Sequence, residues 1–148
     1  MNKKFLITGL ITTVINLVLN AVAYIFILKN FYQSHPAVSE KFMKQLNRQQ
    51  LIVWAMVITA LATGFLITLI MKWSGAKTFG KGLQYGTIFS LLFWGSVNFG
   101  LYASSNIFSE ASVFVDYACS VSAMTISCAF SAWLLGRRKQ INKGAYTL

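Results

Sequence analysis

Apolar residues come along this chain in blocks that exclude charge. Residues 5–28, 51–71, 82–109 and 117–136 contain no Lys, Arg, Asp or Glu. Each block reaches the roughly 20 residues that a helix needs to cross bilayer hydrocarbon. The pattern predicts helices over about 5–28, 51–72, 82–104 and 112–136. The expected fold class is all-α: an integral membrane four-helix bundle running up-down-up-down, with residues 1–148 forming a single transmembrane domain. The connections are short and leave no room for a soluble catalytic domain.

Polar positions inside the blocks are ordered. Thr8, Thr12, Asn16 and Asn20 recur at four-residue steps and form one slowly drifting stripe on a helix. An unpaired amide in hydrocarbon costs several kcal/mol, so these asparagines face protein or water. They act either as glue between helices or as the lining of a polar pocket. In the third block, Gly82, Gly86 and Ser90 recur at the same step, then Trp94, Asn98 and Tyr102 continue it. The small residues predict close approach of a partner helix. Trp94 lies near mid-span, where an interfacial aromatic belt does not explain it, so it is either a ligand-facing residue or a buried structural one. Ala60 and Gly64 form a small-xxx-small pair in the second block, while Thr59 and Thr63 can satisfy themselves on their own helix. In the fourth, Ser120, Ala123, Ser127 and Ser131 trace a packed seam.

The first connection contains His35-Pro36, a turn signal. After it, Val38, Phe42 and Leu46 at helical spacing predict a short amphipathic helix in the first outer loop. His35, the only histidine, has no nearby cluster of ligands and reads as a surface residue. Gly75-Ala76-Lys77-Thr78 imitates the end of a phosphate-binding loop but lacks its upstream glycine and strand.

Composition agrees with a membrane domain: 56% hydrophobic, 11% charged. The net charge of +10 does not indicate nucleic acid, because the bases sit at helix ends, where they meet anionic lipid headgroups. Lys3, Lys4, Lys72, Lys77, Lys81, Arg137, Arg138, Lys139 and Lys143 fall on one side, and Lys29, Lys41, Lys44 and Arg48 on the other. The positive-inside rule places both termini in the cytoplasm. The basic start and Ala21-Val22-Ala23 imitate a cleaved signal peptide, but the apolar run continues through Leu28 to span length, so an uncleaved helix is expected. Cys119 and Cys128 are nine residues apart on one helix, roughly 13 Å of rise, too far to pair.

The run Gly82-Leu83-Gln84-Tyr85-Gly86, followed by Ser90-Leu91-Leu92 and a fourth helix rich in small residues, resembles small four-helix bacterial inner-membrane proteins of a domain-of-unknown-function type. The resemblance covers mainly residues 82–136. It implies a bacterial inner membrane and supplies no activity or site. The small multidrug exporters need a glutamate in the first helix, and the disulfide-generating membrane oxidoreductases need paired cysteines; this chain has neither.

Asp116 is the one acid placed below the headgroups, near the start of the fourth helix, where the helix dipole favours it. Counting ~1.5 Å per residue from the helix ends, Asn20, Asn98 and Asp116 come out at similar depth in the outer half, with Asn16 and Trp94 below. The candidate polar cluster is therefore Asn16, Asn20, Trp94, Asn98, Tyr102 and Asp116. The candidate packing residues are Ala60, Gly64, Gly82, Gly86, Ser90, Ser120 and Ser127. No cofactor, metal site or catalytic set is expected. The expected function is a non-enzymatic accessory or interaction subunit of a membrane complex; the alternative is a small transporter, channel or ligand-binding protein. The expected partners are anionic headgroups and either another membrane protein or further copies of the chain.

Overall fold

A computed structural model of the chain describes residues 3–39, 42 and 52–137. Four long helices account for most of them: α1 (Lys3–Ser34), α2 (Val53–Trp73), α3 (Phe79–Ser104) and α4 (Glu110–Gly136). No strand occurs among the described residues. The short amphipathic helix expected after His35-Pro36 falls mainly on residues outside the described ones.

The helix ends follow local chemistry. α1 runs past the expected end at Leu28, because Lys29 and Asn30 end the apolar block without breaking the helix. It stops at His35 (φ −129°, ψ 61°), since the residue before Pro36 is pushed out of helical geometry. Within α1, Tyr24–Leu28 is a π-helical turn, and the Lys29 N–H donates to the Tyr24 carbonyl, five residues back. α3 begins at Phe79 rather than 82, capped by Thr78, whose Oγ1 accepts from the Lys81 N–H at 3.3 Å. α4 begins at Glu110 rather than 112, capped in the same way by Ser109.

Contacts fix the helix directions. Thr13 meets Gly64 and Phe5 meets Lys72, Asn16 meets Ser127 and Lys4 meets Leu135, and Gly82 meets Ala129 and Leu91 meets Tyr117, so α1, α2, α3 and α4 alternate up and down. They do not close into a square. α4 packs against all three other helices, whereas α2 and α3 barely touch. The core, formed by Ile67 and Met71 of α2, Met124, Cys128 and Ala132 of α4, and Ala76 of the α2–α3 turn, lies toward the end where α1 begins. Below, this is called the basic end. There the Lys4 ammonium donates to the carbonyls of Leu135 and Arg137, both at 2.6 Å, and caps the C-terminus of α4.

Large apolar side chains cover the outside: Leu10, Val14 and Phe26 of α1, and Val53, Trp54 and Ile58 of α2, are all exposed. A water-soluble monomer rarely exposes so much contiguous apolar surface. Three helices, α1, α2 and α4, are long and apolar enough to cross a membrane. The chain is a multi-pass helical membrane protein.

Candidate functional site

The polar stripes fold onto α4 from two sides. On the α1 side, Thr8, Thr12 and Asn16 are buried, as the four-residue step requires of an interior face. The Ser127 hydroxyl lies 3.2 Å from Asn16 Oδ1 and 2.8 Å from its own helix carbonyl at Ala123, so it shares one proton between them. Asn20 turns back on α1, donating from Nδ2 to the Asn16 carbonyl at 2.8 Å. Between α2 and α4, Ser131 donates to Thr68 Oγ1 at 3.2 Å, and Thr68 passes its proton to the Gly64 carbonyl at 2.8 Å. Gly64 has no room for a side chain: a Cβ there would meet Thr13 of α1. Gly9 plays the reciprocal part, where a Cβ would lie 2.5 Å from the Phe65 ring.

On the α3 side the same four-residue step is read differently. Gly82 and Gly86 bring backbones together; added Cβ atoms would lie 2.7 Å from Ala129 Cα and 2.5 Å from Cys128 Cβ. Beyond them, Ser90 is fully buried and Asn98 is 2% exposed. Neither Ser90 Oγ, Trp94 Nε1 nor Asn98 Nδ2 has a hydrogen-bond partner among the described residues. Thr125 Oγ1 of α4 is unpartnered as well. Buried polar atoms are nearly always satisfied, so three orphans at consecutive four-residue steps are exceptional. They form a ladder along α3 with about 6 Å of rise between rungs. Trp94 and Asn98 offer N–H donors and Ser90 a hydroxyl, so the ladder can meet a series of acceptors.

Asp116 lies at the end opposite the basic one, and Tyr32 of the α1 extension donates to its Oδ1 at 2.6 Å, a length typical of a hydroxyl bound to a carboxylate. The Tyr32 ring packs on Phe108, and the His35 carbonyl accepts from Ser109 and Ser112 hydroxyls at 3.0 and 3.3 Å. Tyr102 is exposed. The six candidate residues are thus spread over three places: Asn16 and Asn20 on the α1 side, Trp94, Asn98 and the exposed Tyr102 on α3, and Asp116, bonded to Tyr32, at the far end.

Several contributors lie outside the residues singled out from the sequence. Tyr32 stood beyond the expected end of its helix. Gly9 and Thr13 form a small-xxx-small pair that periodicity alone could have found. Tyr117 donates to the Leu91 carbonyl at 3.1 Å and packs its ring, tilted by 52°, against Phe99, tying α4 to α3; nothing in its spacing signals this. Of the packing residues, Gly64, Gly82, Gly86, Ser90, Ser120 and Ser127 are buried, and Ala60 is half-buried. No family model, curated protein or solved structure matches the chain.

Proposed function

We propose that this protein is a non-enzymatic accessory or interaction subunit of a membrane complex, with all four helices crossing the bilayer and both termini cytoplasmic. The observation that carries this reading is the unclosed side of the bundle. α2 and α3 barely touch, and the half of α2 from Val53 to Thr63 has no buried residue. That opening fits a transmembrane helix of a second protein. α3 has the polar residues Gln84, Asn98 and Tyr102 that lower its hydropathy, but it runs antiparallel beside α4 and is long enough to span. Asp116, Asn16 and Cys128 are all engaged in packing or hydrogen bonds within the chain, which favours a structural role over a catalytic one. The resemblance of residues 82–136 to small bacterial proteins supports an inner membrane as the location.

A second reading, a small transporter or ligand-binding protein, is favoured by one specific observation: the unpartnered Ser90, Trp94 and Asn98. These atoms are sealed between helices, so a ligand reaches them when α3 and α4 part. Native mass spectrometry of protein gently extracted from its own membrane separates the two. A stoichiometric second protein is the expected result. A homo-oligomer or monomer carrying a reproducible small ligand would transfer the conclusion to the second reading.

A further inference from the structure

The basic end holds a cavity of about 150 Å³, bounded by Lys4, Lys72 and Lys77 and by the apolar walls of Phe5, Met71 and Leu135. This volume is an order of magnitude above the roughly 10–15 Å³ that admits one water. Its three ammonium groups come from α1, α2 and the α2–α3 turn. Of the chain's three acids, Glu110 and Asp116 lie at the opposite end of α4, and Glu40 is outside the described residues.

The site is built. Lys4 is pinned by its two bonds to the end of α4, leaving one N–H free. Lys72 Nζ lies 5.3 Å from the centre of the Phe5 ring, a cation–π placement that fixes its stem. The turn carrying Lys77 is set by Gly75 at φ +67°, a left-handed conformation suited to glycine. It is locked by Ser74, which accepts from the Ala76 N–H at 3.4 Å, and by Gly136, where an added Cβ would strike the Lys77 carbonyl. Lys81, on the first turn of α3, takes no part in the lining.

Charge on one rim and apolar walls beside it match one amphiphile. We infer that this cavity binds the phosphate headgroup of an anionic phospholipid, with its glycerol and upper acyl chain against Phe5, Met71 and Leu135. Basic pockets between helices at a membrane face recognise such headgroups. The inference rests on the chain lying in a membrane, and is independent of whether it serves as a subunit or a transporter.

The test uses the purified full chain in zwitterionic detergent, native mass spectrometry, and titration with dioleoyl phosphatidylglycerol against dioleoyl phosphatidylcholine. One phosphatidylglycerol per chain is expected in preference to phosphatidylcholine. The double substitution Lys72→Gln/Lys77→Gln should weaken it by roughly 10- to 30-fold, since each lysine near an anionic surface contributes about fivefold or slightly less. Lys3→Gln/Lys81→Gln removes the same charge outside the lining and should change it by less than about twofold. Variants are compared only where circular dichroism and elution match the parent; should the double fail this, Lys77→Gln alone, which touches only the turn, carries the comparison. Equal loss in both doubles would reduce the site to general surface charge and overturn the inference. Binding of inorganic phosphate with the same lysine dependence, and no preference for phosphatidylglycerol, would overturn the lipid assignment in favour of a free anion.

Discussion

The two sides of α4 use nearly the same residue types and reach different ends. Toward α1 and α2, Asn16, Thr68, Ser127 and Ser131 are buried and bonded across helix boundaries, and Thr12 Oγ1 is the one buried side-chain oxygen of the described residues there without a partner. Toward α3, the polar side-chain atoms Ser90 Oγ, Trp94 Nε1, Asn98 Nδ2 and Thr125 Oγ1 are buried and unbonded. A polar residue in a membrane helix is therefore not one kind of object. On the first side it offsets its own desolvation by pairing with a neighbour. On the second it retains unused hydrogen-bonding capacity in a medium where that capacity is costly. The first is what a seam needs; the second is what a site left ready for an acceptor looks like.

The largest test attacks the close backbone contact that the α3 side depends on. Gly86→Leu should separate α3 from α4 and cost about 3 kcal/mol or more, at the upper range of overpacking, because the obstacle is the Cys128 region of a neighbouring helix rather than a flexible tip. Thermal unfolding in detergent, followed by circular dichroism, measures it. Next come two asparagines set against each other. Asn16→Leu should destabilise by about 1 kcal/mol, the worth of an interhelical bond in a membrane. Asn98→Leu should be neutral or stabilising, since it removes a buried amide donor without a partner. Unfolding midpoints of the pair decide this; equal losses would erase the contrast between the two sides. If α3 carries function, Asn98→Leu abolishes activity or partner capture in cells at normal protein levels.

A local effect and two couplings sharpen the contrast. Tyr32→Phe should cost about 1.5–3 kcal/mol locally, the range for a bond to a charged group, and should show first as faster hydrogen exchange at residues 29–34 rather than as a lower global midpoint. The smallest is a double-mutant cycle on Thr68→Ala and Ser131→Ala, with an expected coupling of about 0.6 kcal/mol. A cycle on Ser90→Ala and Thr125→Ala should give a coupling indistinguishable from zero.

Much of this was legible in the residues. Charge-free blocks give helix number, and their polar stripes give interior faces: Gly82, Gly86 and Ser90 are buried at the predicted step. The burial of Gly64 follows from the same logic, though its partner Thr13 does not. Three things were not legible. The extension of α1 to Ser34 is hidden because Lys29 and Asn30 mark the limit of hydrocarbon, not of the helix. The sharing of Asn16, Trp94 and Asp116 among three locations is hidden because depth along a helix is readable from spacing, whereas direction around it depends on which neighbour the face meets. The gap between α2 and α3 is hidden because Ala60 and Gly64 advertise a seam without naming its partner.

The π-helical turn at Tyr24–Leu28 acts as a phase corrector. In an uninterrupted α-helix, Leu28 would sit about 120° around the axis from Asn16, twelve residues at 100° each. The wider turn takes back about 90° of that rotation, at roughly 4.4 residues per turn rather than 3.6. Leu28 is thereby returned toward the Asn16 face and is buried, and Tyr32 one turn later lands on Asp116. A straight helix would grip α4 with one half and point the other half at lipid. With the correction, α1 stays in step with α4 from Lys4 to His35. Shortening or lengthening that turn by one residue would unscrew the far end while leaving the basic end engaged.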